Sequence, residues 1–238
     1  MRILAIECSA TPCSAAVIEN DKIIASGFVN VKLTHSQTLM PMVESVLSSA
    51  QMGISDIDGF AVSAGPGSFT GVRIGISAIK GLAAAKKIPC VGVSTLRAMA
   101  ENYSDTDCLV CAVMDARCNQ VYNGIFDITD GVISRLCEDR ALLCDELKAE
   151  LEELANKNDK DIIIIGDGAD VFYPFVSGME KVKKADIKKQ FQNAVGVAFT
   201  ALENFEKGET VNPENLLPVY LRLPQAEREL KNKKGAEK

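Results

Sequence analysis

The feature that most restricts how this chain can fold is a pattern that begins twice. Residues 3–7 read as a buried strand, Cys8-Ser9-Ala10-Thr11-Pro12-Cys13 as a turn of small residues, and 14–18 as a second strand, with Asn20-Asp21 turning into a third at 22–28. The same strand-turn-strand-turn-strand meander restarts at 108–114, turns at 115–119, alternates through 120–126, and turns again at Asp130-Gly131 into 132–136. Helices and strands alternate after each meander. The first is followed by a helix at 34–50 with Thr34 or Ser36 as cap, a strand at 59–64, a helix at 69–87, a strand at 88–93 and a short helix at 95–101. The second is followed by an amphipathic helix at 145–156, a strand at 161–165 and a helix at 192–207. Strands interleaved with helices in this way predict an α/β chain of two duplicated lobes, each a mixed sheet flanked by helices. The polar stretch 102–107 places the lobes at 1–104 and 105–238, with the helix near 192–207 as the element that would pack back on the first lobe. The tail from Glu227, with Lys231-Asn232-Lys233-Lys234, reads as a solvated end.

Charge and cysteine content narrow the function classes. A formal charge of −6 is a poor match for a protein that grips phosphate backbones alone, so a nucleic-acid substrate would need a partner to hold it. The eight cysteines lie in apolar or mixed runs and read as buried thiols of a reducing cytoplasm. Cys108-Leu109-Val110-Cys111 has zinc-ligand spacing, but it lacks a second pair and its inner residues predict a strand. No bound metal is expected. The apolar run at the amino terminus is broken by Glu7, and the aliphatic run at 162–165 is far too short to cross a bilayer, so no membrane association is expected either.

Chemistry-bearing residues are sparse. Ala64-Gly65-Pro66-Gly67-Ser68-Phe69-Thr70-Gly71-Val72-Arg73-Ile74-Gly75 leaves a strand and opens a helix, a place where backbone amides can hold an anion. No Gly-Lys-Ser/Thr follows, so it is not a P-loop; the alternative is a tight turn whose glycines permit close packing. His35 is the one histidine and has no nucleophile and orienting acid around it in sequence, which favours a place at a helix start near a surface or interface. The helix at 36–50 carries Leu39, Met40, Met42, Val43, Val46, Leu47 and Ala50 over roughly 160° of its circumference. The next helix is apolar nearly all round through Val72, Ile74, Ile76, Ile79, Leu82 and Ala83, with a narrow polar stripe at Arg73, Ser77 and Lys80. Such arcs are wider than one core contact requires, so either the helices are sandwiched within their own lobe or something beyond the sheet covers the excess.

Ile3-Leu4-Ala5-Ile6-Glu7-Cys8-Ser9, Ala64-Gly65-Pro66-Gly67, Gly71-Val72-Arg73-Ile74-Gly75, Ile88-Pro89, Asp115-Ala116-Arg117 and Pro218-Val219-Tyr220-Leu221-Arg222 together resemble the TsaB (YeaZ) family over nearly the whole chain. The resemblance implies the actin-like, Hsp70-like ATPase (ASKHA) fold. It also implies a role in forming N6-threonylcarbamoyladenosine at position 37 of tRNAs, as the companion of the related catalytic subunit TsaD with the ATPase TsaE joining the assembly. TsaD-like proteins place two metal-binding histidines four apart on the helix after the Ile-Pro strand, and the corresponding positions here are Thr95 and Met99, poor ligands beside imidazole. On this reading the chain is no enzyme, tRNA is met only through the complex, and the chain alone forms a homodimer. The partner surface implied on the first two helices comprises His35, Leu39, Met42, Val43, Val46, Leu47, Val72, Arg73, Ile76 and Ile79. Val72→Glu or Val43→Asp would then break assembly and leave the monomer folded. A vestigial nucleotide site would comprise Glu7, Ser9, Gly65, Gly67, Asp115, Gly166 and Gly168, holding ATP weakly or at a partner junction. The competing hypotheses are a nucleotide-dependent kinase or transferase of the same fold, which requires tight ATP binding through Glu7, Ser9, Asp115 and the Gly166-Asp167-Gly168 loop, and a metallopeptidase, which the missing histidine pair opposes.

Overall fold

The computed structural model describes residues 1–222, so the tail expected from Glu227 lies outside the described residues. The first sheet contains β1 (Arg2–Glu7), β2 (Cys13–Glu19), β3 (Lys22–Val29), β4 (Gly59–Gly65) and β5 (Cys90–Ser94), ordered β3-β2-β1-β4-β5. The second contains β6 (Cys108–Arg117), β7 (Gln120–Thr129), β8 (Val132–Arg135), β10 (Ile162–Ile165) and β11 (Val182–Lys184), ordered β11-β10-β6-β7-β8, with β9 (Arg140–Leu143) pairing β7. In each sheet the first strand lies at the centre, with two antiparallel strands to one side and two parallel strands to the other. The helices repeat as well. α1 (His35–Ser49), α2 (Phe69–Ala84) and α3 (Thr95–Ala100) follow β3, β4 and β5, while α4 (Cys144–Lys157), α5 (Ala169–Val176) and α6 (Ala194–Glu206) occupy the matching places in the second half.

Period-two alternation in the central strands assigns each face its cover. Leu4 and Ile6 of β1 pack with α1 and α2, while Ile3 and Ala5 pack with Ala194, Val197, Ala198 and Ala201 of α6. Leu109, Cys111 and Val113 of β6 pack with α4 and α5, while Cys108, Val110, Ala112 and Met114 pack with Leu96, Met99 and Ala100 of α3. Cys108 and Cys111 therefore point to opposite faces. The third helix of each half covers the sheet of the other, so the lobes are joined by exchange of cover. The first sheet draws its strands from residues 2–94 and the second from 108–184, while α6 lies back on the first.

The partner-facing assignment of the apolar residues on α1 and α2 needs correction. Leu39, Val43, Val46, Leu47, Val72, Ile76 and Ile79 are all buried within the first lobe, in one cluster with Leu4, Ile6, Val62 and Phe60. The wide arcs arise because each helix touches both the sheet and its neighbour: Met42 and Val46 lie over Gly27 of β3, at 3.2 and 3.3 Å from where a side chain there would start. What these helices leave at least partly outward is less: on α1 exposed Met40, with half-buried Met42 on the opposite flank over β3, and on α2 half-buried Ile74, Ala78 and Leu82 beside exposed Arg73 and Ser77. Three elements had no sequence signal of their own. α5 has eight residues including Pro174, β11 has three with two lysines, and β9 has four, all too short for periodicity to register.

Candidate functional site

The two glycine-rich turns and the two first hairpins converge on a cleft between the lobes, with a volume of about 550 Å³. Ser9, Gly67, Asp115 and Asp167 line it, with Lys32 from the segment leading into α1, His35 from its first turn, and Tyr220 and Arg222 from the chain after α6. Of the residues assigned to a vestigial nucleotide site, Ser9, Gly67 and Asp115 line this space and Glu7 lies directly behind Ser9, whereas Gly65, Gly166 and Gly168 do not line it. A larger cavity of about 660 Å³ opens elsewhere, beside the start of α6, lined by Phe28, Ile187, Phe191 and Phe199 among others. None of the candidate site residues reaches it, and the acids and the free hydroxyl gather in the interlobe cleft.

The glycines serve close packing. A methyl on Gly71 would overlap the Cys8 carbonyl, one on Gly67 would lie 2.5 Å from the Ser9 carbonyl, and one on Gly168 would lie 2.7 Å from the Met114 backbone. Gly65 and Gly166 have φ of 119° and 110°, in the region that favours glycine, and their open sides are filled by the carbonyls of Val219 and Val113. Each glycine-rich turn is thus pressed against a neighbouring backbone, and the Ser68 amide donates to the Ser9 carbonyl at 2.6 Å. Gly71→Ala forces α2 away from the β1–β2 turn, and we expect a loss of about 2 kcal/mol or more, read as a lower urea midpoint at unchanged slope.

Glu7 is fully buried. Its carboxylate accepts from the Ser9 amide at 2.5 Å and from the Ser63 hydroxyl. Burial pushes its pKa up to about 7; the hydrogen bond from the Ser9 amide pulls the other way, and the negative charge of Asp167 adds a smaller upward push. Asp167, across the cleft, is raised to about 6, first by burial, against a bond from the Gln192 amide at 2.6 Å. Asp115 accepts from the Arg117 amide at 2.8 Å and pairs with its guanidinium at 3.2 Å. The Ser9 hydroxyl is buried with no hydrogen-bond partner among the described residues. Lys80 lies away from the cleft, bonded to the Glu214 carbonyl at 3.1 Å, and the cationic side chains that line it are Lys32, Arg117 and Arg222.

His35 sits at the start of α1, as its neighbours suggest, but it faces inward: Nε2 meets the Ala10 carbonyl at 2.7 Å, and the ring packs on Gly71. Arg73 is exposed on α2 and folds over Phe69, with its guanidinium carbon 3.8 Å from the ring centroid. Thr95 and Met99 are buried in α3, and Met99 Sδ lies 3.1 Å from where a side chain on Gly166 would begin. Residues the motif reading passed over include Lys32, Tyr122 and Gln192, and Arg117 and Arg222 stood within quoted motifs without a role. They come from loops, hairpin ends and a segment without regular structure, where neither period 2 nor period 3.6 operates. Pro218-Val219-Tyr220-Leu221-Arg222 stood out as a motif, but without its partner surfaces it had no readable role.

A family model described as "TsaD: tRNA N6-adenosine threonylcarbamoyltransferase" matches residues 29–228. The tRNA threonylcarbamoyladenosine biosynthesis protein TsaB of Escherichia coli is 33% identical over 98% of this chain and 100% of its own length. The chain belongs to the TsaB family. The solved structure of YeaZ from Pseudomonas aeruginosa superposes with a TM-score of 0.77 at 27% identity, covering 92% of this chain and 100% of that one, so the family's actin-like architecture is the one described above. The tRNA N6-adenosine threonylcarbamoyltransferase of Geotalea uraniireducens is 32% identical, but over 40% of this chain and 32% of its own length. With the E. coli TsaB, therefore, the match runs end to end, whereas with this transferase it stops at a shared portion. No helix among the described residues is long and apolar enough to cross a membrane.

Proposed function

We propose that this TsaB-family chain is the non-catalytic companion of the related threonylcarbamoyltransferase TsaD, supporting formation of threonylcarbamoyladenosine on tRNA with TsaE as a further member of the assembly. The observation that carries the reading is the contrast in coverage: the chain spans all of its E. coli TsaB relative but only a third of the transferase. The interior agrees with it. Thr95 and Met99, at the places where the catalytic relatives are expected to hold metal, are packed into the lobe junction, and the glycine-rich turns are closed by neighbouring carbonyls. The docking flank consistent with the fold is the outward part of α1 and α2 that carries Met40, Ile74, Ala78 and Leu82, which would meet TsaD, or a second copy when the chain is alone. Nucleotide, on this reading, is bound weakly by the isolated chain or at the junction.

The test is a reconstituted modification assay with purified TsaD, TsaE, tRNA and threonylcarbamoyl donor. Leaving this chain out is expected to lower the modification rate at least tenfold; an unchanged rate rejects the role. Titration of Mg-ATP into the isolated chain should give little heat, and a dissociation constant in the low micromolar range would favour a kinase or transferase instead.

A further inference from the structure

The segment after α6 runs over the first lobe and ends on the second. Val211 exchanges backbone bonds with Cys90 at 2.9 Å, Leu216 is buried in the first core, and the Val219 amide donates to the Ala64 carbonyl at 2.7 Å. Tyr220 stacks on Phe69 of α2 with centroids 4.9 Å apart, and its hydroxyl accepts from Arg73 Nε at 2.7 Å. Two residues later, Arg222 Nη1 donates to the Ala116 carbonyl of the β6–β7 hairpin at 2.5 Å. Among the bonds just named, this is the one that crosses the cleft. The hairpin it holds ends in Arg117, Cys118 and Asn119 at φ of 67°, 56° and 53°, three consecutive side-chain-bearing residues in the left-handed region, a costly arrangement in need of external support.

We propose that residues 219–222 are a strap that latches the interlobe cleft, and that Arg73 on the outer face of α2 is its release, so that a carboxylate claiming Arg73 frees Tyr220, withdraws Arg222 from Ala116 and lets the cleft open. The charge geometry supports that direction. Arg73 is exposed and held to the strap by the neutral hydroxyl and the ring of Tyr220, 5.7 Å from the ring centroid, while Phe69 of its own helix lies at 3.8 Å, contacts that an anionic group outcompetes. Arg222 in turn donates to a neutral carbonyl, and loss of that charge-assisted bond shifts an open-to-closed ratio by roughly tenfold or more. The proposal stands whether or not TsaD is what docks on α2.

Cys118 is the exposed native thiol at the hairpin tip, and six other cysteines are buried. In a Cys137→Ser background, a nitroxide on Cys118 and a second on Ser36→Cys, across the cleft mouth, report its width by dipolar spectroscopy on the full chain. The unaltered strap should give one short, narrow distance distribution. Arg222→Ala and Arg73→Ala should each lengthen and broaden it, the double substitution should open it no further than either alone, and Arg222→Lys should restore the short distance. The lysine rescue separates loss of the bond from loss of the fold. An unchanged distance in Arg222→Ala overturns the latch; an unchanged distance in Arg73→Ala, or shifts that add in the double variant, overturns the release.

Discussion

Val72→Glu is expected to lower the thermal midpoint of the isolated chain by about 10 °C or more, and not to yield a folded monomer that fails to assemble. Val72 is buried with Leu4, Ile6, Val62 and Ile76, in a cluster of apolar side chains that offers no charge to pair with a carboxylate. An unpaired charge there costs about 4 kcal/mol, against a total stability of roughly 5–15 kcal/mol, and each kcal/mol moves the midpoint of a chain this size by about 2–4 °C. Val43→Asp, on the facing helix, should behave alike. Met40→Glu puts the same charge on the exposed strip of α1, should change stability by no more than about 0.5 kcal/mol, and is the substitution that reports on docking. Differential scanning calorimetry of the isolated chain, followed by sedimentation of the soluble variants, separates the two. A Val72→Glu protein that melts like wild type would mean that α2 does not sit in the first core as described.

The second large effect is a dependence on pH set by Glu7. Its folded pKa of about 7 exceeds the ordinary value of 4.5, and burial is the chief cause. Between those values the folded chain keeps a proton that the unfolded chain has released, so stability falls as pH rises through the window and levels off above pH 7. Glu7 alone contributes a decline of about 3 kcal/mol. Asp167, raised to about 6 from 3.8, adds to the same slope in the lower part of the window. Glu7→Gln should flatten the profile and leave the variant more stable than wild type at pH 8. A glutamine can accept from the Ser9 amide and donate to the Ser63 hydroxyl without ionising. Urea unfolding at pH 5 and pH 8 reads both slopes. Equal losses at both pH values in the variant would show that Glu7 is not the titrating group.

Much of the architecture was readable because burial leaves a periodic trace. The restarted meander predicted the two duplicated sheets, with Asn20-Asp21 and Asp130-Gly131 at two of the hairpin turns, and the longer helices were found within a few residues of their ends. The site residues were partly readable for a different reason. Glycines at 65, 67, 166 and 168 announce close backbone approach, and the structure shows the carbonyls and backbone that approach them. Periodicity could not say which apolar side of α1 or α2 meets the sheet, which meets the other helix and which meets water, since all three surfaces favour the same residue types. That ambiguity put Val43, Val72 and Ile79 on a partner surface when they are in the core.

The order of residues alone therefore determined the strand and helix alternation, its duplication and the turns, because these depend on neighbours a few positions apart. Tertiary structure decided that α3 and α6 trade sheets, that Glu7 and Asp167 face one cleft from different lobes, and that Arg222 spans it to Ala116. Apart from α3 on β6, those pairings join residues about a hundred or more positions apart, and the energy that selects them, removal of surface and charge from water, is set by where the chain returns in space.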